Sequence, residues 1–490
     1  MGRCEPSGYC SFADLRCESG ARYSRFASPP LAGRCTTVGG SEGGSSSTAD
    51  DGFDTAFEDG SSSSASAVVD AGPPAVRTPV VPACGNGYLE DTEICDDGNL
   101  VDADGCNVDC VPSGTVRWTT LQQGDAGGND YGFALALLPD GNIITAGRSA
   151  GDSGDAWFSR FDAVDGSLLR KWLNSTEQPE EARAVVIDDA ANIYGAGWYR
   201  WADTSTRRED QLIGAYFDHA IEGGEPGGAV EQLWLHRADS PAHGDDRSYA
   251  AALRANRTQV VVFGKGGADT DIDSFVRGYP LGGPTPAWSS LAGIDARADE
   301  VRAGVVDADE HIYAAGVVTT NNNGRTDAWI GELGAPVGTS ATWLWHARLG
   351  TATVDELAQA IAVADDDTLL VGGHVGLRAM WARFDRAGLE LERWVDPGDQ
   401  ISEIHGIAVD GTGAFVTVGY VESLAHLEDI TVTKYDVTGT RAWADRYDGD
   451  ASGNDRARAV VVTEDDDVIV VGHAVTALGA SDLWLRRYAP

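Results

Sequence analysis

His374 and His473 each follow directly on a glycine that ends an aliphatic run. Imidazole changes charge nearest neutral pH, so either residue could ligate a metal or act as a general base. Glu356 and Glu403 flank His374 in the chain and could supply a carboxylate base beside it. Hard oxygen donors gather in two further patterns. Asp96, Asp97, Asn99, Asp102 and Asp104 crowd among the glycines of "CDDGNLVDADGC", a plausible ligand supply for calcium, although the order of a helix-loop-helix calcium loop is missing. Capping of turns by the same side chains is the alternative. In the second pattern a carboxylate recurs 16 to 18 residues ahead of a glycine-ended run, at Asp130, Glu180, Asp246, Asp299, Glu356, Glu403 and Asp455. Such a set could hold a divalent or organic cation if the fold brought it into a ring, or could accept backbone hydrogen bonds where the chain enters each repeat.

The elements that would position these groups are short strands. The glycine-ended runs are "NIITAG" at Gly147, "NIYGAG" at Gly197, "QVVVFG" at Gly264, "HIYAAG" at Gly316, "TLLVGG" at Gly373, "AFVTVG" at Gly419 and "VIVVG" at Gly472. Each unit holds four strand candidates separated by Asp, Gly and Asn turns. The third follows a turn-forming aspartate (Asp155, Asp210, Asp273, Asp327, Asp429, Asp482), and the fourth carries Trp172, Trp234, Trp288, Trp345, Trp394 or Trp443. Seven first, second and third strands are present, but only six fourth strands follow them. "TVRWTTLQQ", residues 115–123, supplies the seventh through Trp118. The pattern predicts an all-β chain whose residues 115–490 form a seven-bladed β-propeller, closed by an N-terminal strand that removes the open sheet edge.

In that frame the seven carboxylates open the innermost strands and would surround one mouth of the channel. The residues after the marker glycines, Arg148, Trp198, Lys265, Val317, His374, Tyr420 and His473, return to the same mouth. They differ where the framework repeats, the pattern of an asymmetric recognition surface, and Trp198, Tyr199 and Trp201 offer stacking faces for a sugar or peptide.

A formal charge of −40, from 76 acidic against 36 basic residues, argues against nucleic acid or an anionic membrane as partner. No apolar run is long enough to span a bilayer. All eight cysteines precede the repeats in two groups, Cys4, Cys10, Cys17, Cys35 and Cys84, Cys95, Cys106, Cys110. Each group reads as a small disulfide framework of an oxidising compartment, with the pairing open. They bound a module at 1–35 and another at 84–110, separated by a Gly/Ser/Pro-rich linker at 36–83 in which apolar periodicity is lost. The opening "MGRCEPSGYC" has no charged-then-apolar leader, so an export signal is expected upstream or already removed. No nucleophile elbow, zinc-binding helix motif or phosphate loop occurs.

The unit "DITVTKYDVTGTRAWADRYDGDASGNDRARAVVVTEDDDVIVVGHAV" resembles the bacterial SBBP-type propeller repeat, a likeness covering residues 115–490. The fifth unit departs from it, with Arg378 in place of the turn aspartate, and the third is longer. "CGNGYLEDTEICDDGNLVDADGCNVDC" resembles the myxococcal cysteine-rich repeat, and "CSFADLRCESGARYSRFASPPLAGRC" resembles an N-terminal module of exported myxobacterial proteins. These resemblances imply an exported or surface protein and no particular activity. The expectation is a monomeric, non-catalytic propeller, secreted or on the cell surface, binding a glycan, peptide or protein at the channel mouth, with calcium a possible cofactor. The alternatives are a calcium-dependent hydrolase or lyase using Glu356 or Glu403 near His374, and a purely structural envelope component.

Overall fold

The computed structural model describes residues 84–85, 89 and 93–490, apart from 125–126, 151–153, 175–177, 201–208, 220–229, 239–243, 269–270, 292–297, 321–323, 351–353, 365, 423–426 and 452. Toward the N-terminus it also describes the strands Arg3–Cys4, Cys10–Ala13 and Ala21–Tyr23, which pair into one antiparallel sheet. The linker at 36–83, the pairing of the first cysteine group and Trp201 lie outside the described residues. The chain divides into two units, Met1–Val81 and Pro82–Pro490.

The second unit is the propeller, with seven four-stranded antiparallel sheets. Six are built from consecutive strands. In the seventh, Val116–Gln122 pairs with Ser481–Tyr488, the last strand of the chain, with Trp118 opposite Arg487 and Thr120 opposite Leu485. Head and tail therefore share one blade, as the strand count predicts.

The seven marker glycines have one steric cause. In every blade the pairing of first and second strands slips by one residue beside the glycine, leaving Phe133, Arg183, Tyr249, Arg302, Gln359, His405 or Arg458 bulged out of the ladder. The bulge brings the carbonyl oxygen of Tyr131, Glu181, Arg247, Glu300, Leu357, Glu403 or Arg456 onto the space a Cβ would occupy. Only glycine fits there.

The core lies between blades. Seven apolar clusters each mix residues of two neighbouring sheets. At the closing seam Leu135, Ile143 and Trp157 of the first blade pack with Ile469, Val471 and Leu483 of the seventh. Burying a large aliphatic or aromatic side chain contributes roughly 1.5–3 kcal/mol, so each interface of this kind stabilises both of its blades.

The small module at 84–110 holds a Cys95–Cys106 disulfide, while Cys84 and Cys110 are free thiols. One bridge of the expected framework is present, and the other two cysteines of the group stand together as a hydrogen-bonded pair of thiols. Asp109 of the module pairs with Arg117 at 2.8 Å, and Arg117 also reaches Asp467 of the seventh blade at 2.8 Å. The module is therefore tied to the closing seam.

Candidate functional site

The carboxylates that precede the marker glycines sit between blades. Asp130, Glu180, Asp246, Asp299, Glu356 and Asp455 are fully buried. Asp130 accepts hydrogen bonds from Ala150 N at 2.9 Å, Ser149 Oγ at 2.8 Å and Gly124 N at 2.6 Å, and Asp299 accepts one from Ser274 N of the preceding blade at 2.7 Å. Their own amides reach back as well: Asp130 N donates to Ser481 O, Glu180 N to Gly154 O, Asp246 N to Glu209 O and Asp455 N to Glu428 O. These residues join each blade to the one before it. Burial raises the Asp455 carboxyl to about 6, against the pull of the Gly449 and Val475 amides and with a further push from Asp448 and Asp429.

The sixth blade corrects the expected ring. Gly419 pairs with Ile404, so the entry position is Ser402, which donates to Asp396 at 2.8 Å and accepts from Ala379 N at 2.9 Å. Glu403 stands one residue further on, facing with the channel residues. In the module at 84–110, Asp96 accepts from Gly85 N and Gly98 N, Asp97 from Asn99 N and Cys106 N, and Asp102 from Val108 N, while Asn99 accepts from Val101 N and donates to Asp104. That is turn capping. Among the described residues no three His, Cys, Asp or Glu side chains gather in a way that could hold a metal ion.

The residues after the marker glycines do converge, and each has a matched partner on the next blade, one residue before the position opposite that blade's glycine. Arg148 Nη1 lies 3.4 Å from Glu181, the Arg247 guanidinium 5.8 Å from the Trp198 ring, and Lys265 Nζ 2.9 Å from Glu300. Val317 and Leu357 hold the same two positions at the fourth interface. His374 Nδ1 lies 3.4 Å from Glu403, the Arg456 guanidinium 4.9 Å from the Tyr420 ring, and the His473 ring meets Tyr131 edge-on at 4.8 Å. The variety expected of a free recognition surface is thus, in large part, a set of blade-to-blade pairings. Trp198 and Tyr199 are not free stacking faces: both are buried, the Trp198 indole donating to Glu181 at 3.2 Å and the Tyr199 ring lying under Arg237.

The bulged residues form a second tier, which reasoning from the glycines alone misses. Arg183 pairs with Glu181 at 2.6 Å and covers the Phe133 ring at 4.0 Å; Arg302 pairs with Glu300 at 2.5 Å and covers Tyr249 at 4.4 Å. Each of these arginines reaches the carboxylate two residues before it on its own strand. Around Glu403 gather the Gln359 amide at 2.9 Å, the Tyr420 hydroxyl at 3.3 Å and the imidazoles of His374 at 3.4 Å and His405 at 3.5 Å. Burial opposes its ionisation, but the contacts with His374, His405 and Gln359 prevail and hold the carboxyl well below the usual range. So strongly acidic a carboxylate is a poor general base. Glu356, the other candidate base, is buried between blades.

The two tiers and the post-glycine positions carry seven cations, Arg148, Arg183, Arg247, Lys265, Arg302, Arg456 and Arg458, against three carboxylates, Glu181, Glu300 and Glu403. Glu209 and Glu428 add two more by pairing with Arg247 and Arg456. Asp245 also reaches Arg247, at 3.7 Å, and the buried entry carboxylates lie one residue before the girdle on the same strands, so cations and carboxylates interleave at this mouth.

Residues 80–111 match a family described only as a domain of unknown function, DUF4215. No curated protein matches the chain. Solved structures similar to it include the RRP9 WD40 repeats, at 13% identity over 77% of this chain and 99% of that one, TM-score 0.48. Others are Chaetomium thermophilum Sqt1, at 11% identity over 76% and 97%, TM-score 0.46, and a Dyadobacter fermentans protein of unknown function, at 9% identity over 77% and 100%, TM-score 0.48.

Proposed function

We propose that this chain is a non-catalytic propeller that binds a glycan, peptide or protein at the channel mouth where its innermost strands begin, and that it works outside the cell or on its surface. One observation carries the reading: arginine, lysine and histidine side chains of different blades are gathered at that mouth on a repeated framework, in a chain that is otherwise strongly acidic. Cations gathered in this way attract an acidic ligand and raise its local concentration. The poor basicity of Glu403 and the enclosure of Glu356 favour binding over the hydrolase reading. The location follows from the resemblance of the repeats to SBBP-type units and of residues 84–110 to the myxococcal cysteine-rich repeat.

The test is to screen the full chain on arrays of neutral and acidic glycans and of peptides, beside the variant Arg302→Ala. Retention of a defined set of ligands by the wild type, weakened at least tenfold in the variant, is expected. Failure to retain any ligand, or retention indifferent to the substitution, would contradict the proposal.

A further inference from the structure

Arg458 is the one cation of the bulged tier without an ion pair among the described residues, and its Nε is sealed from solvent with no hydrogen-bond partner. Its electrostatic surroundings are mainly like-charged: Arg456 and Arg183 oppose its charge, with Glu403 and Glu428 the more weakly acting carboxylates. His473 stands beside it, 4% exposed, with Nδ1 unpartnered and its ring against Tyr131. Arg458, Arg456, Arg183 and His405 all bear on that imidazole. A buried donor left unmade and a guanidinium crowded by its own sign both cost free energy in the free protein. One occupant relieves both: an oxyanion, which accepts from the guanidinium fork and neutralises the repulsion.

We infer that Arg458, with Arg183, Arg456 and His473, forms an oxyanion site in the channel, holding a carboxylate, sulfate or phosphate group of the ligand that this face binds. This rests on the reading of the mouth as a binding face and supplies the ligand's chemical class. Arg183 and Arg456 are already engaged by Glu181 and Glu428, so they contribute field, and Arg458 contributes the open fork.

The experiment titrates glucuronate, sulfate and inorganic phosphate, with chloride matching ionic strength, into the full chain by calorimetry and thermal unfolding. Arg458→Met keeps the length of the side chain and removes its charge; His473→Gln is a second variant in case the first does not fold. Saturable heat with at least one oxyanion, a rise in the thermal midpoint that chloride does not reproduce, and a loss of at least tenfold in affinity in either folded variant are expected. Preference for glucuronate indicates an acidic saccharide as the source, and preference for sulfate or phosphate an esterified or free anion. An absence of oxyanion-specific response in the wild type, or a response undiminished in both folded variants, overturns the inference. If the arrays retain neutral ligands while oxyanions give no response, this inference alone falls; if the arrays retain nothing, the binding-face reading falls with it.

Discussion

The indole of Trp118, on the strand that joins the last blade, lies against Gly166 of the first, where a Cβ would meet the ring at 2.5 Å, and its N–H donates to Ala163 O at 3.2 Å. The same arrangement recurs where Trp345 meets Gly388 and Trp443 meets Gly114, all three glycines having positive φ. Closure is therefore a repeat of an ordinary blade contact. Because the Trp118 ring is half-buried, Trp118→Ala should cost about 2–3 kcal/mol, below the ~3–5 kcal/mol of a fully buried tryptophan. Urea unfolding measures this, and an unchanged midpoint would contradict the seam.

Gly197→Ala should be more harmful than its size suggests. The added methyl meets the Glu181 carbonyl, a backbone atom that cannot swing aside. A loss of about 1–3 kcal/mol is expected from overpacking, and Gly282→Ala, where a Cβ meets open space, serves as the control. Equal effects at the two positions would refute the steric account of the repeat.

The pairing of each post-glycine residue with the next blade predicts non-additivity. Glu300→Leu removes the carboxylate shared by the mostly buried Lys265 ammonium and Arg302 and should cost about 3 kcal/mol. Adding Lys265→Val places aliphatic side chains at the two positions that Val317 and Leu357 hold at the fourth interface, and roughly 1 kcal/mol or more should return. Strict additivity in unfolding free energy would show that the pair is not coupled.

Burial and hydrogen bonding with Cys84 and Glu93 push the Cys110 thiol up to about 12. Since the thiolate is the reacting form, Cys110 should resist alkylation at pH 8 in the reduced chain. The closeness of the two sulfurs predicts that mild oxidation joins Cys84 to Cys110, seen by peptide mass mapping. Rapid alkylation, or a shuffled pairing with Cys95 or Cys106, would contradict this geometry.

Much of the fold was legible because its cause is local and repeated. The bulge demands glycine at the same register in every blade, and counting strands then revealed that Val116–Gln122 must complete the seventh. The site was less legible. Glu403 lies 16 residues before its marker glycine, whereas Asp130 and Asp455 lie 17 before theirs, and that single step moves it from the seam to the girdle. Arg183, Arg302 and Arg458 occupy bulged positions that alternation alone does not assign to a face. The pairs join residues such as Arg148 and Glu181, 33 positions apart, so the signal was complementarity between one unit's post-glycine residue and the next unit's entry, not similarity between units.

Arg458 Nε and His473 Nδ1 stand without hydrogen-bond partners among mainly like-charged neighbours, and the ionisation of His473 reports on them directly. Burial, together with Arg458, Arg456, His405 and Arg183, depresses its pKa well below the ordinary histidine value, so in the free protein the native state resists a proton that the unfolded chain accepts. Stability contributed by keeping this imidazole neutral is full above the unfolded value of about 6.5 and falls as pH drops below it. Imidazole resonances of the full chain, with His473 assigned by His473→Gln, should show it neutral at pH 6 and titrating upward once sulfate or glucuronate saturates the site. An imidazole already protonated at pH 6 without added oxyanion, or one that saturating oxyanion leaves unmoved, would contradict the account.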